Sequence, residues 1–414
     1  MILCLFEDEA VARLAPLVTT RHTADLLLGV RTVAERHVAA FELDRLAFLA
    51  RPEVAGVTQQ EHPDALVGDL PEGEGVLFVN ARWTGGSDEM IDLLRSLARG
   101  RESARAFVQG DDLIAAWHPD PSSRLLPSGT LGLDRFDGIA QERVDGVPLL
   151  HHLPDLIDDV PGRIARDVEA MRDTLPRAVT LGPGAIVLGE DVFCGRGAVI
   201  QAGAVVSSEN GPVVIGAGAS IGHNAVVEGP CCIGPKAVVK SMARVDGSAI
   251  GYWSKVGGEV HESVVHSLSS KGHDGYLGNS YLGRWCNLGA DTNTSNLKND
   301  YGEVTVYDRV AGDFRPSGRQ FAGLFMGDHA KCSINTMFNT GTVVGVFANL
   351  FGAGFPPRHV PDFSWGGTDG LVPYRLEKAF RVAEAVMARR RRPLTDADRY
   401  ALEQAFAAAH PDAT

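Results

Sequence analysis

A six-residue spacing of apolar side chains runs through the middle of this chain. It begins at Leu188 and continues as Cys194, Ile200 and Val206. Asn210-Gly211-Pro212 shifts the register, and the spacing resumes as Ile215, Ile221, Val227, Ile233, Val239 and Val245. After a gap it returns as Leu282 and Leu288, then Met326, Cys332, Phe338, Val344 and Leu350. A period of six fits neither an α-helix nor an alternating strand. It fits the hexapeptide repeat of a parallel β-helix, in which each hexad is one short strand and one turn and three hexads close a coil. The sixth-place residue then points inward and stacks on its equivalents. Glycine follows many of these positions (Gly189, Gly195, Gly216, Gly222, Gly234), as a tight corner that needs positive φ requires. A generic Gly/Val-rich sheet would not hold this spacing unbroken from Ile215 to Val245.

With 414 residues, two domains or one elongated one are expected. The net charge of −13 argues against nucleic acid as a partner, because phosphate-binding surfaces are basic; small anionic substrates remain compatible. The six cysteines show no zinc-ligand spacing. Cys194, Cys232 and Cys332 lie on or next to inward repeat positions and read as small core residues. The start, Met1-Ile2-Leu3-Cys4-Leu5-Phe6-Glu7-Asp8, reaches charge too soon for a signal peptide, and no run of eighteen apolar residues offers a membrane span. A cytoplasmic protein without membrane contact is expected.

The first half of the chain reads as α/β. Ile2–Phe6 and Gly75–Asn80 are apolar strands, Ala24–His37 and Asp88–Arg99 have helical spacing, and Ala106–Gln109 with Leu113–Trp117 reads as a strand pair. Pro161–Asp173 reads as a connecting helix. The expected domains are therefore 1–180, α/β with its connecting helix; 181–367, the β-helix; and 368–414, a helical segment. In the last, Pro373–Arg391 ends in the run Arg389–Arg392, a solvated positive end favourable to the helix dipole. Thr395 with Asp398 reads as a capping box for a helix over Asp396–Ala409.

Between the two blocks of hexads lies a polar stretch: Lys271-Gly-His273-Asp-Gly-Tyr276-Leu-Gly-Asn279, then Cys286-Asn287-Leu-Gly-Ala290-Asp291 and on to Asn296-Leu-Lys298. Such residues are poor strand formers. On a β-helix wall, with successive coils about 4.8 Å apart, a base, a phenol, amides and lysines converge.

The pattern His273-x-x-Tyr276-Leu-Gly-Asn, Asn287-Leu-Gly-Ala290 and Asn296, at offsets of 3, 14 and 23 residues after the histidine, resembles the acetyltransferase half of the GlmU-like family. These are bifunctional UDP-N-acetylglucosamine diphosphorylase/glucosamine-1-phosphate N-acetyltransferases. Glu259-Val260-His261 and Met326-Gly327-Asp328 extend the match, and Trp285-Cys-Asn287, Asn335–Thr340 and Phe363–Gly367 resemble an alternative bacterial branch of that family. The resemblance implies an α/β nucleotidyltransferase-like domain followed by a left-handed parallel β-helix and C-terminal helices. It also implies acetyl-CoA-dependent N-acetylation of an amino-sugar 1-phosphate, such as glucosamine 1-phosphate, by a homotrimer whose acetyl-CoA sites lie between subunits. The excursion from Asn299 to Gly323 is a candidate for reaching a neighbouring subunit.

Carried over on matching positions, His273 is the general base and Glu259 orients or polarises the site. Tyr276, Asn287 and Asn296 hold the sugar and its phosphate, with Lys271, Lys298 and Arg244 as further substrate-binding cations, and Ala290 offers backbone to acetyl-CoA. Histidine suits the first role because its pKa lies near operating pH. His261 stands where the family has a lysine, and Arg244 is one residue out of register with the family's arginine.

Near the N-terminus, Leu14-Ala-Pro16-Leu17-Val-Thr-Thr20-Arg21 resembles the segment after the phosphate loop of nucleotidyltransferases, yet Glu7–Ala15 contains no glycine to form such a loop. Asn80-Ala81-Arg82 stands where the family has a magnesium aspartate. Arg21 and Arg82 are the candidate nucleotide contacts, and no metal ligands are assigned; UTP and Mg²⁺ enter only if this domain is active. A degenerate nucleotide-sugar-binding domain is the open alternative, and a trimeric β-helix scaffold without catalysis is the reading from another class.

Overall fold

The computed structural model of the chain describes residues 1–43, 45–100, 103–121 and 129–413. The amino-terminal domain is built on β1 (Ile2–Phe6), apolar along its whole length and fully buried. It pairs in parallel with β2 (Arg45–Leu49) on one side and with β4 (Val76–Asn80) on the other. β3 (Leu66–Val67) extends the first side. β5 (Arg105–Gln109), β6 (Asp112–His118) and β7 (Ala140–Arg143) complete a seven-stranded sheet in the order β3-β2-β1-β4-β6-β5-β7. The β5–β6 pair is antiparallel, as its sequence predicts, with a register shift at Phe107/Val108. The order reverses between β1 and β4, the switch point at which open α/β sheets form a ligand crevice.

The helix expected over Ala24–His37 is broken. Thr23–Asp25 is a single 3₁₀ turn, Leu27–Leu28 and Arg31–Thr32 form a short antiparallel ribbon, and α1 begins only at Val33 and runs to Phe41. Gly29, at φ +93° between the two ribbon strands, turns the chain. Thr32 and Glu35 then form a capping box that starts the helix afresh. α2 (Pro52–Glu61) and α3 (Asp88–Gly100) follow, and α4 (Val160–Met171) leads to the second domain with Asp159 capping the Gly162 N–H.

From Thr180 the chain winds into a left-handed parallel β-helix of two- to four-residue strands stacked in three sheets. The hexad residues from Cys194 to Val245, and again from Leu282 to Leu350, form one continuous buried column; Leu188, on the first coil, stays exposed. The hexads do not stop at Val245. Ile250, Val256, Val260, Val265 and Leu277 carry the column through the apparent gap. The spacing falls to five or four where corners shorten, and serines fill those corners: the Ser263 N–H donates to Ser248 Oγ (3.0 Å), the Ser280 N–H to Ser263 Oγ (3.1 Å) and the Leu324 N–H to Ser280 Oγ (2.9 Å). All six cysteines are buried and unpaired.

The three faces differ in what they turn outward. On the first face the outward residues are Phe193, Val214, Cys232, Ala249, Val264, Tyr281, Phe325 and Val343, and all are buried against the ribbon, α4 and neighbouring segments of the amino-terminal domain. Their apolar column docks the two domains. Tyr281 Oη accepts from the Leu27 N–H (3.0 Å) and donates to the Leu27 carbonyl (3.1 Å), and His266 Nε2 meets the Asp25 carbonyl at 2.9 Å.

The excursion from Asn299 to Gly323 packs in part on its own chain. Thr305–Asp308 and Asp313–Pro316 pair as a hairpin. Val304 and Val306 are buried in the interdomain core, and Arg319 pairs with Asp158 at 2.7 Å. α5 (Leu376–Ala388) packs Ala379, Ala383 and Met387 on Trp285, Phe347 and Phe363 of the β-helix. α6 (Asp396–Ala409), capped by Thr395 and Asp398 as its sequence predicts, lies on α2, where a Cβ at Gly56 would come within 2.9 Å of Ala397. The arginine run is not wholly solvated: Arg392 reaches Glu61 (3.4 Å), and Arg390 lies over the Trp253 ring (5.3 Å). Among the described residues no helix is long and apolar enough to cross a membrane.

Candidate active site

The second face of the β-helix is polar where the first is apolar. Its register stacks Val226, Arg244, Glu259 and Tyr276 in one outward column, and Glu228, Asp246, His261 and Gly278 in the column beside it. Residues at the same level of successive coils lie about 4.8 Å apart, so Arg244, Glu259 and Tyr276 are neighbours although 32 residues separate the first from the last.

Tyr276 lies over Gly278: a Cβ there would come within 2.2 Å of the phenol oxygen, so only glycine leaves room for the ring. Asn296 Nδ2 donates to Tyr276 Oη (3.0 Å) and to Asn279 Oδ1 (2.7 Å), and Asn279 Nδ2 donates to Glu262 Oε2 (2.9 Å). Asn293 Oδ1 accepts the Tyr276 N–H (2.9 Å). Burial, helped by the Glu259 carboxylate, raises the Tyr276 pKa, so the phenol stays protonated with its hydroxyl hydrogen free to donate. His261 Nδ1 lies 3.1 Å from both Asp246 oxygens, and that hydrogen bond raises the His261 pKa. His261 thus stands, paired with Asp246, where the resembled family has a lysine. Glu262 and Asp246 are the members that the sequence reading does not single out, and Gly278 and Asn279 stand in its motif without a role. The period-two pairing of the polar residues 244/246 and 259/261 is the signal that carries Asp246.

His273 is exposed on the corner three residues before Tyr276, and Glu259 and Arg244 are exposed beneath it on the second face. Asn287 is exposed on the third face, bridged between Ser270 and Lys331. Ala290 occupies the corner one coil beyond His273. Its carbonyl accepts the Asn335 N–H (2.8 Å), while its own N–H makes no hydrogen bond among the described residues. The fold thus brings His273, Glu259, Tyr276, Asn296 and Arg244 to one corner and face, with Asn287 and Ala290 on the adjoining coil.

Four cations expected to bind ligand are held elsewhere. Lys271 is 2% exposed, sits in the inward column in register with Val256, and donates its ammonium to backbone carbonyls; burial lowers its pKa to about 8. Lys298 turns into the base of the hairpin, 3.3 Å from Asp300. Arg21 is 1% exposed and ion-paired with Asp328, whose carboxylate also accepts from Thr20 Oγ (2.7 Å) and the Arg284 N–H (2.7 Å). Arg82, fully buried at the end of β4, donates to Asp8 (2.8 and 2.6 Å), to Asp112 (2.5 Å) and to the Leu150 carbonyl (3.0 Å). Its guanidinium thus occupies the crevice between β1 and β4. The two carboxylates there already share a cation, so Mg²⁺, which is held by one or two carboxylates and keeps several waters, would have to displace the Arg82 guanidinium from them.

Residues 3–174 match the family described as sugar nucleotidyl transferase. The chain is similar to the bifunctional sugar-1-phosphate nucleotidylyltransferase/acetyltransferase of Sulfurisphaera tokodaii, 37% identical over 93 residues, 22% of this chain and 23% of that protein. It is also similar to the bifunctional protein GlmU of Methanocaldococcus jannaschii, 33% identical over 87 residues and 21% of each chain. A third relative is the bifunctional protein GlmU of Marinobacter nauticus, 30% identical over 151 residues, 36% of this chain and 28% of that protein. The chain spans about a quarter of the length of these curated relatives. The solved UDP-N-acetylglucosamine acyltransferase from Campylobacter jejuni covers 54% of this chain and 95% of its own at 15% identity, with a TM-score of 0.29. The chain thus joins a domain that matches the sugar nucleotidyl transferase family to a β-helix of hexapeptide repeats.

Proposed function

We propose that the β-helix transfers the acetyl group of acetyl-CoA to the amine of an amino-sugar 1-phosphate, with glucosamine 1-phosphate the first substrate to test. The observation that carries this reading is the convergence of exposed His273 with the Arg244–Glu259–Tyr276 column and the Asn296 network on one corner. An ammonium has no lone pair, so His273 first takes a proton from the substrate nitrogen. The amine then attacks the thioester carbonyl; the C–N bond forms and the C–S bond breaks, His273 passes its proton to the departing thiolate, and the second proton of the acylated nitrogen leaves to solvent, giving the amide and the free thiol. The free N–H of Ala290 is the donor available to the carbonyl oxygen as charge develops on it. Tyr276 and Asn296 bind sugar hydroxyls, and Arg244, with His261 beside it, meets the phosphate.

The second and third faces carry the site and are not covered by the amino-terminal domain, which leaves them to a homotrimer. For the amino-terminal domain the Arg82–Asp8–Asp112 cluster favours sugar-nucleotide binding without metal-assisted nucleotidyl transfer. Thiol release from acetyl-CoA tests the first reading. It is expected with glucosamine 1-phosphate or another amino-sugar phosphate, and its absence with all of them would leave a scaffold. Pyrophosphate release from UTP with Mg²⁺ and N-acetylglucosamine 1-phosphate would refute the metal-free reading of the amino-terminal domain.

A further inference from the structure

A charged amine stands in the apolar interior of the β-helix. Lys271 occupies the inward slot that Val256 fills on the coil below and that Leu288 fills on the coil beyond, beside the Ser270–Asn287 bridge. It is 2% exposed. Its three ammonium protons are matched by three carbonyl oxygens: Gly257 at 2.9 Å, His273 at 2.7 Å and Asp274 at 3.2 Å. No carboxylate shares the contact among the described residues.

We infer that Lys271 is a positioning residue for acetyl transfer, an internal post that fixes the backbone of the corner carrying His273; this rests on the acetyl-transfer reading above. Two of the three acceptors belong to that corner, and the third belongs to the coil beneath. The two corners differ in length. Below, Gly257 and Gly258 pass directly from Val256 to Glu259, whereas Gly272–Gly275 separate Lys271 from Tyr276. The longer loop therefore does not stack residue for residue on the shorter one, and it would have free carbonyls facing inward. Lys271 takes up those carbonyls. Contact between the two corners is close: a Cβ at Gly258 would lie 2.5 Å from the Gly275 carbonyl, and one at Gly257 3.0 Å from Gly272. Fixing the peptide on the C-terminal side of His273 fixes the direction of its Cα–Cβ bond, and hence where the imidazole stands relative to Tyr276 and Glu259. An apolar hexad residue would fill the slot at lower desolvation cost; it would not tie the corner.

Lys271→Met in the full-length protein tests this, because methionine suits the apolar column. Hydrogen–deuterium exchange over residues 272–276 is read without substrate, beside kcat and KM for acetyl-CoA and the amino-sugar phosphate. Exchange in that corner should rise at least tenfold, and kcat should fall about 10²-fold, the scale of a 1 Å misplacement, while KM for acetyl-CoA stays within about twofold. Should Lys271→Met melt far below the parent, Lys271→Gln, which keeps one amide donor in the slot, carries the same readings. Unchanged exchange, or faster exchange with unchanged kcat, overturns the positioning role. A wild-type protein inactive on every amino-sugar phosphate defeats the acetyl-transfer reading and this role with it; the exchange measurement then decides separately whether Lys271 holds the corner.

Discussion

Arg21 and Asp328 form an ion pair between the two domains, 1% and 7% exposed at their side chains. Burial opposes both charges, and the partner more than offsets it: the Asp328 pKa is lowered by Arg21, and that of Arg21 is raised by Asp328. Removing one partner strands the other. Asp328→Ala should therefore cost about 3–5 kcal/mol, read as a lower denaturant midpoint, while Asp328→Ala combined with Arg21→Met should recover much of the loss; equal midpoints for the parent and the single variant would contradict this. At this scale the sequence shows which residue types are present and misassigns several partners. His273, Tyr276 and Asn296, picked out by their fixed offsets, fall on one corner of the fold. Arg21 and Arg82 read as free cations because nothing in one dimension brings Asp328, Asp8 or Asp112 beside them; Lys271 and Lys298 have partners only two or three residues away, and what the sequence hides is the turn of each side chain toward them.

The coil is the element that organises the molecule, and its corners set its limits. Gly275 has φ +106°, and a Cβ there would lie 2.2 Å from the Thr292 carbonyl, which is backbone and cannot yield cheaply. Gly312, in the hairpin turn at φ +66°, has nothing within 4 Å of such a Cβ. Gly275→Ala should thus destabilise by well over the ~1–3 kcal/mol of a strained backbone conformation alone, and Gly312→Ala by no more than that; thermal melts of the two variants compare them, and equal shifts would contradict the stacking. The hexads made the β-helix legible wherever corners had uniform length. From Val245 to Leu282 the phase is lost because the serine-filled corners are one residue shorter and the Gly257-Gly258 corner two residues shorter, and the inward position of Lys271 is hidden with it. The Ala24–His37 pattern misleads for a different reason. Its apolar residues are shared between a ribbon facing the β-helix and a helix facing the sheet, so their periodicity belongs to two elements.

At the scale of the molecule, the buried titratable groups set an acid limit. His37 is pushed down to about 4, His329 to about 3 and His266 well below its ordinary value, each chiefly by burial. The unfolded chain binds protons at these sites near pH 6.5, before the folded one does, so stability falls as pH drops below about 6.5 and keeps falling toward about 3. Glu7, lowered to about 2 against its burial by His22 and Arg51, adds a loss between its unfolded value near 4.3 and about 2. His261 and His152 have raised pKa values and act oppositely. Their contribution is full below about 6.5 and is lost as pH rises through their folded values; both are partly exposed, so it is small. Melting temperature should decline steadily from pH 7 to 4, and a flat profile would contradict the buried, neutral histidines.

Whether the corner at His273 performs acetyl transfer is tested most directly by the pH dependence of kcat for the parent and His273→Ala. General-base contributions are typically ~10²–10⁴-fold. The variant should lose turnover on glucosamine 1-phosphate, or on whichever amino-sugar phosphate the parent accepts, by that factor. It should keep its assembly and its acetyl-CoA affinity, and the acidic limb of the parent profile should vanish. Near-full turnover by His273→Ala, with the acidic limb intact, would contradict the account.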